Sequence, residues 1–218
     1  MIGIDDQNKL FERIGEKSRQ MKVLVIGGSA MLYYSFSKMV TKDIDLVFLS
    51  DKDRKNTVGV LRDLGFRTRH EPAKLGEPHI LELGEYRLDL FSKSIFRFRI
   101  SRTVLGRVRE KVRYGNLELS VISPEDIFLS KSATDRSGDR EDAMDIIRES
   151  NIDWNVILGE CKWQAENADF RFCVYLYDFL DELVHDFGLK IPREVKRKIK
   201  EIYRDFLEKM GDRSVADY

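Results

Sequence analysis

The stretch "VIGGSAMLYY", residues 25–34, decides the fold, because an apolar run stops there at two glycines and a serine. Val23 to Ile26 has the composition of a buried strand, and the residues after Gly28 have helical spacing. This change predicts a strand that ends in a tight turn at the start of a helix. Glycines allow close approach to the backbone, and N–H groups at a helix start attract anions. The turn therefore predicts a phosphate site at Gly27 and Gly28; the alternative is a turn with a purely structural role.

Three well-known glycine motifs are excluded at this turn. A P-loop requires a lysine that is missing at the necessary spacing, and a dinucleotide-binding fingerprint requires further glycines where Ser29 to Leu32 stand. A nucleophile elbow requires a glycine at the position of Met31. A phosphate bound here must therefore be held by another kind of site.

The composition sets limits on the class of protein. The 218 residues are 42% hydrophobic and 35% charged, with 38 basic and 38 acidic side chains, so we expect a folded chain whose net charge indicates no particular partner. Two cysteines, Cys161 and Cys173, and three scattered histidines lack the usual zinc spacings. No apolar stretch reaches the roughly 20 residues that span a bilayer, and the acidic N-terminus does not resemble a signal peptide. We therefore expect a cytoplasmic protein with no membrane partner.

Strand and helix patterns divide the chain into two parts. The first is predicted to contain helices at 5–19, 29–36 and 53–66, strands at 22–26, 43–49 and 117–122, and a hairpin in which "HILEL" and "YRLDLF" flank Gly84 and Glu85. From Ser123, a predicted N-cap before Pro124, helices are predicted at 124–134, 139–149, 153–164, 167–187 and 192–210. The predicted fold is α+β, with a mixed sheet and flanking helices over residues 1–122, followed by a helical domain at 123–218.

Three aspartates lie in two of the predicted strands. Within "DIDLVFL", residues 43–49, side chains alternate between faces, so Asp43 and Asp45 project from the same side. Asp89 lies between apolar residues in "YRLDLF". If these strands are neighbours, three carboxylates converge, and such oxygen clusters bind Mg²⁺ for phosphoryl transfer. The alternative is a set of solvated acids at strand ends.

The order of these motifs resembles that of the nucleotidyltransferase superfamily of DNA polymerase β. Gly28-Ser29 comes first, Asp43-x-Asp45 follows a short helix, and Asp89 lies on a later strand. The segment "VISPEDIFLSKSATDRSGDREDAMDII", residues 121–147, resembles the helical segment of minimal and AbiEii toxin-like members. The shared pattern there is a lysine, seven residues, an aspartate and a second aspartate three residues later. The resemblance covers about residues 20–150.

The resemblance implies a function as well as a fold. The implied reaction is transfer of NMP from an NTP to an acceptor hydroxyl, with two Mg²⁺ ions and release of pyrophosphate. The implied acceptor is RNA such as tRNA, a protein or a small molecule, and the AbiEii-like pattern adds the role of a toxin with a cognate antitoxin. The helical domain is expected to close one side of the nucleotide cleft. The alternative is a non-catalytic NTP-binding or nucleic-acid-binding protein that retains the fold.

Roles for the first motifs follow from the same resemblance. Gly27, Gly28 and Ser29 are expected to bind the nucleotide, with Gly28 and Ser29 on its β- and γ-phosphates. Asp43 and Asp45 are expected to bind both metal ions.

The later motifs complete the implied site. Asp89 is expected to complete the second metal site and to act as, or orient, the base for the acceptor hydroxyl. Lys131 is expected to contact the triphosphate, while Asp139 holds that lysine or reaches the sugar or base, with Asp142 in support. The alternatives are a helix cap at Asp139 and an ordinary solvated lysine at Lys131.

A basic segment between residues 96 and 113 is a separate signal. In a chain of zero net charge, such a local concentration could steer a polyanionic acceptor such as tRNA or help hold the triphosphate. The alternative is a solvated surface paired with acids elsewhere. The possible nucleic-acid-binding residues are Arg97, Arg99, Arg102, Arg107, Arg109, Lys111 and Arg113.

Overall fold

The computed structural model describes residues 1–34, 36–134 and 136–216, and it leaves aside the side chains of residue 137 and of 210–216. Ser35, within the helix predicted at 29–36, and Asp135, within the segment 121–147, lie outside this description. The described chain forms two compact units, Met1–Ile127 and Phe128–Tyr218.

The first unit alternates between strands and helices. Its elements are α1 (Ile4–Lys17), β1 (Met21–Ile26), α2 (Gly27–Met31), β2 (Ile44–Phe48), α3 (Asp51–Asp63), β3 (Arg67–His70), β4 (His79–Leu83), β5 (Tyr86–Ser92), β6 (Ser94–Ile95), β7 (Phe98–Arg99), α4 (Arg102–Gly106), β8 (Glu110–Tyr114) and β9 (Leu117–Val121). The next helix, α5 (Pro124–Ser132), contains the division between the units, whereas the sequence placed the boundary just before this helix.

A mixed sheet forms the centre of the first unit. Among the described residues, seven strands pair in the order β3-β4-β5-β2-β1-β9-β8. The pairs β1–β9 and β2–β5 are parallel and the others are antiparallel. Helices α1 and α3 contact each other, and α1 packs on β8 and β9 while α3 packs on β2 and β5. The predicted α+β fold is confirmed.

The glycine turn forms as predicted, but its helix is shorter. The strand β1 ends at Ile26 and α2 begins directly at Gly27, whose φ of 59° is the left-handed value that glycine accepts without strain. The helix ends at Met31, because the N–H groups of Tyr33 and Tyr34 bond to carbonyls three residues earlier and tighten the chain. The prediction of a helix over 29–36 was therefore wrong in its extent.

Several short elements were not predicted. Strands β3 and β8 form the two edges of the sheet, and nearly all of their side chains are exposed or half-buried. An edge strand of this kind lacks the apolar alternation that reveals half-buried strands. The short strand β6 lies just before the basic segment, and β7 and the short helix α4 lie within it.

The second unit is helical. It comprises the end of α5 with α6 (Ser137–Glu149), α7 (Trp154–Asn167), α8 (Phe172–His185) and α9 (Arg193–Ala216), and α7, α8 and α9 pack against one another. On α8, the side chains of Phe172, Leu176, Phe179 and Leu183 are buried, whereas that of Phe187, which follows the helix, is exposed. No helix among the described residues is long and apolar enough to cross a membrane.

Candidate active site

The three predicted carboxylates converge on one face of the sheet. The parallel pairing of β2 with β5 sets Asp45 opposite Asp89, and Asp43 directly precedes β2. One carboxylate oxygen from each of the three residues lies within 4.8 Å of the others. Asp89 is wholly buried and Asp43 is half-buried. The predicted convergence is confirmed, because it required only that the two strands be neighbours with their aspartates in register.

Ser29 connects the glycine turn to these aspartates. Its hydroxyl donates to the carbonyl oxygen of Asp43 at 2.9 Å and accepts from the N–H of Asp45 at 3.3 Å. The residue is wholly buried. Ser29 therefore holds the start of β2 against the turn, a role that the sequence did not indicate. Its contact with a nucleotide phosphate stays a prediction.

Gly27 lies directly against a metal-ligand candidate. A Cβ atom added to this glycine would lie 2.4 Å from Oδ2 of Asp45, far inside van der Waals contact. The Asp45 carboxylate thus packs on the glycine backbone, where only a residue without a side chain fits. The positive φ of Gly27 imposes the same requirement independently.

Replacing Gly27 with alanine is expected to destabilise the fold and to weaken the metal site. Strain at positive φ costs about 2 kcal/mol, and the new methyl group displaces the Asp45 carboxylate. The matched control is Gly59→Ala, since Gly59 lies in α3 with open space at its Cβ and should gain about 0.5–1 kcal/mol. Chemical unfolding measures both changes, and Mn²⁺ titration by electron paramagnetic resonance measures the site. Equal unfolding free energies for the two variants would contradict this account.

Arg87 is a residue of the site that sequence reasoning missed. Its Nε and Nη2 donate to the two oxygens of Asp89 at 2.8 and 3.0 Å. These hydrogen bonds outweigh burial and raise the pKa of Arg87 above its ordinary value. Residues 87 and 89 are two apart on β5 and share a face, so their spacing was an available signal. Arg87 orients the plane of the third carboxylate.

The donor set fits a hard divalent cation. Carboxylate oxygens are the ligands that Mg²⁺ prefers, and three of them within 4.8 Å are held by two adjacent strands. The residues that would hold a metal are Asp43, Asp45 and Asp89.

A second polar cluster lies in the helical unit. Nζ of Lys131, on α5, lies 2.7 Å from Oδ1 of Asp139 and 2.6 Å from Oδ2 of Asp142, both on α6. The hydroxyl of Thr134 also donates to Asp139. All three charged groups of the cluster are largely buried. The motif spacing predicted from sequence thus corresponds to a buried cluster of one cation and two carboxylates.

Lys131 stays charged in this cluster. Burial alone would lower its pKa, but the charges of Asp142 and Asp139 and their hydrogen bonds raise the pKa to about 12. The structure differs from the alternatives of a helix cap at Asp139 and a solvated lysine at Lys131. Arg136 stands at the N-cap of α6, with Asp139 in the first turn, and Lys131 is not solvated.

Two cations of the basic segment form ion pairs with the start of α5. Arg107 donates from Nε and Nη2 to Asp126 at 3.1 and 2.5 Å, and Asp126 is wholly buried. Arg109 lies 3.3 Å from the buried carboxylate of Glu125. These arginines therefore compensate acids that the fold buries, as the alternative interpretation of the segment expected.

The cations of the basic segment do not all lie at the same end of the strands. Arg97 and Arg99 follow the C-terminal end of β5, which lies at the end of the strands opposite the glycine turn, whereas Arg109 precedes β8, whose start pairs with the end of β9. Arg113 pairs with Glu118 on β9. The exposed basic side chains of the segment are those of Arg97, Arg99, Arg102, Arg109, Lys111 and Arg113. Nucleic-acid contact by these residues stays a prediction.

Comparison with known proteins identifies the family. The family model described as "Nucleotidyltransferase of unknown function (DUF6036)" matches residues 3–168. The chain belongs to this nucleotidyltransferase family. The match includes the carboxylate triad, the glycine turn and the Lys131 cluster. A sequence comparison with curated proteins finds no match.

Several solved structures are similar to the chain at low sequence identity. The structure titled ANT(2")-Ia in complex with adenylyl-2"-tobramycin is 18% identical, with 66% of this chain and 88% of that chain covered and a TM-score of 0.47. An antigenic nucleotidyltransferase-like protein from Paracoccidioides brasiliensis is 14% identical, with 91% and 94% covered and a TM-score of 0.47. JHP933 from Helicobacter pylori is 11% identical, with 97% and 94% covered and a TM-score of 0.40.

Proposed function

We propose that this protein is a Mg²⁺-dependent nucleotidyltransferase that transfers NMP from an NTP to an acceptor hydroxyl. The observation that carries the proposal is the convergence of Asp43, Asp45 and Asp89, with carboxylate oxygens within 4.8 Å of one another, in a member of a nucleotidyltransferase family. The neighbouring glycine turn supports it, because Gly27 and Ser29 hold Asp45 and Asp43 in place.

The reaction assigns a task to each residue of the triad. Asp43 and Asp45 would hold both metal ions, and Asp89 would complete the ligands of the second. When bound, such ions would supply charge neutralisation on the triphosphate and activation of the attacking hydroxyl. Asp89 accepts or directs the proton of that hydroxyl while Arg87 keeps its carboxylate in one plane. A bond forms between the acceptor oxygen and the α-phosphorus, the bond from this phosphorus to the β-bridging oxygen breaks, and pyrophosphate leaves.

The nucleotide contacts outside the triad stay part of the proposal. The backbone of Gly27 and Gly28 is assigned to the phosphates. Lys131 is assigned to the triphosphate, with Asp139 and Asp142 as the groups that hold it. The distances of 2.7 and 2.6 Å from Lys131 to these aspartates support the holding role.

The acceptor is proposed to be a macromolecule. The protein is also proposed to act as the toxin of a toxin-antitoxin pair. The AbiEii-like pattern supports both, together with a cognate antitoxin as partner. A tRNA acceptor depends on the exposed cations of the basic segment, since Arg107 is already committed to Asp126. Induced expression of the wild type, but not of Asp45→Asn, should then arrest growth of the host cell.

Transfer of label tests the reaction. Each of the four α-³²P NTPs is incubated with Mg²⁺ and the protein, in the presence of total RNA, a protein extract or no added acceptor. Label that appears with the wild type, requires Mg²⁺ and is absent with Asp45→Asn would establish the reaction and name the nucleotide and the acceptor class. NTP binding without label or pyrophosphate release in any mixture would favour a non-catalytic NTP-binding protein.

A further inference from the structure

The segment between the glycine turn and β2 folds back over the turn. Thr41 is buried, and it exchanges two backbone hydrogen bonds with Ile2, at 2.8 and 2.9 Å. A Cβ atom added to Gly28 would lie 2.7 Å from Oγ1 of Thr41. The segment is therefore anchored against the turn at a defined position.

This anchoring brings a cation to the turn. The same added Cβ atom on Gly28 would lie 3.1 Å from Cε of Lys38, which is half-buried. The ammonium nitrogen is one bond beyond Cε, so the positive charge lies in the immediate surroundings of the Gly28 backbone. Lys42, in the same segment, is exposed and makes no such approach.

The hydroxyl of Ser29 could bind a phosphate at this turn only if its present hydrogen bonds were broken. Ser29 is wholly buried, and its hydroxyl binds the backbone of Asp43 and Asp45. The three carboxylates beside the turn bring negative charge to it, and Arg87 pairs with one of them, Asp89. A cation from the segment that covers the turn would therefore favour binding of a triphosphate there, in addition to the metal ions and to Lys131.

We propose that Lys38 binds the triphosphate of the nucleotide at the glycine turn. This inference rests on the proposed function and gives the phosphates a side-chain contact from the segment that covers the turn, where the hydroxyl of Ser29 is engaged with the backbone of Asp43 and Asp45. A lysine suits the position, since its ammonium is a compact point charge on a flexible stem that reaches phosphate oxygens from one side.

Binding of inorganic tripolyphosphate tests this role without knowledge of the base. Calorimetric titration in Mg²⁺ compares the wild type with Lys38→Met, Lys38→Arg and the matched control Lys42→Met. We expect Lys38→Met to weaken binding about tenfold or more, as for loss of a charge-assisted hydrogen bond. Lys38→Arg should retain most of the affinity, and Lys42→Met should stay within about twofold of the wild type. Mn²⁺ binding and thermal unfolding should be similar in all four proteins.

The outcomes separate this inference from the proposed function. Tripolyphosphate binding that Lys38→Met and Lys42→Met weaken equally, or leave unchanged, would overturn the role of Lys38 and leave the nucleotidyltransferase proposal in place. Binding of Mn²⁺ without binding of tripolyphosphate by the wild type would also overturn it. A wild-type protein that binds neither probe would overturn the proposed function and the inference together.

Discussion

Replacing Asp45 with asparagine is expected to reduce NMP transfer about a thousandfold or more and to weaken Mn²⁺ binding at least about tenfold. Asp45 is the central carboxylate of the triad, since it lies in register with Asp89 and against Gly27. The fold should not suffer, because the change removes one of three negative charges that repel each other. Radiolabel transfer, electron paramagnetic resonance of Mn²⁺ and thermal unfolding measure the three effects.

The matched control for this change is Asp63→Asn. Asp63 is an exposed aspartate at the end of α3, and it is absent from the triad. Its replacement should leave transfer, Mn²⁺ binding and unfolding unchanged. Equal activity in Asp45→Asn and the wild type would contradict the proposed metal site. Loss of activity with unchanged Mn²⁺ binding would show that other residues bind the metal.

Replacing Lys131 with methionine is expected to lower the free energy of unfolding by about 3–5 kcal/mol. The change leaves Asp139 and Asp142 buried without the cation that lies 2.7 and 2.6 Å from them. Removing one partner of a buried ionic cluster costs more than the cluster itself contributes. Because the pKa of Lys131 is about 12, its charge is present throughout the neutral range, so the loss should appear at pH 7. Chemical unfolding with a two-state analysis measures it.

Restoring neutrality should recover much of this loss. The triple variant Lys131→Met, Asp139→Asn, Asp142→Asn carries no uncompensated charge in the cluster and should be more stable than Lys131→Met alone. Lys162→Met, at an exposed lysine on α7, should change stability by no more than about 0.5 kcal/mol. A loss under about 1 kcal/mol for Lys131→Met would contradict the cluster's role in stability.

Much of the fold could be predicted because its signals are local. The change from an apolar run to Gly27 predicted a strand followed at once by a helix, and the turn at Gly84 predicted the hairpin of β4 and β5. The N-cap at Ser123 is confirmed by its hydrogen bond from the N–H of Asp126 at 3.3 Å. Edge strands β3 and β8 escaped prediction, since their mostly polar sequences lack a buried face.

The amino-acid sequence by itself was enough to select the candidate residues of the proposed chemistry. Alternation along one strand places Asp43 and Asp45 on one side, and this depends only on backbone geometry. The spacing from Lys131 to Asp139 and Asp142 was likewise readable from the chain.

Only the tertiary structure decided what surrounds those residues. Their contacts join segments that are distant in sequence, and no local sequence pattern shows that such segments lie side by side. The pairing of β2 with β5 set Asp89 beside Asp45. The burial of Ser29 beneath the start of β2 committed its hydroxyl to the backbone there. The bridge from Ile2 to Thr41 brought Lys38 to the glycine turn.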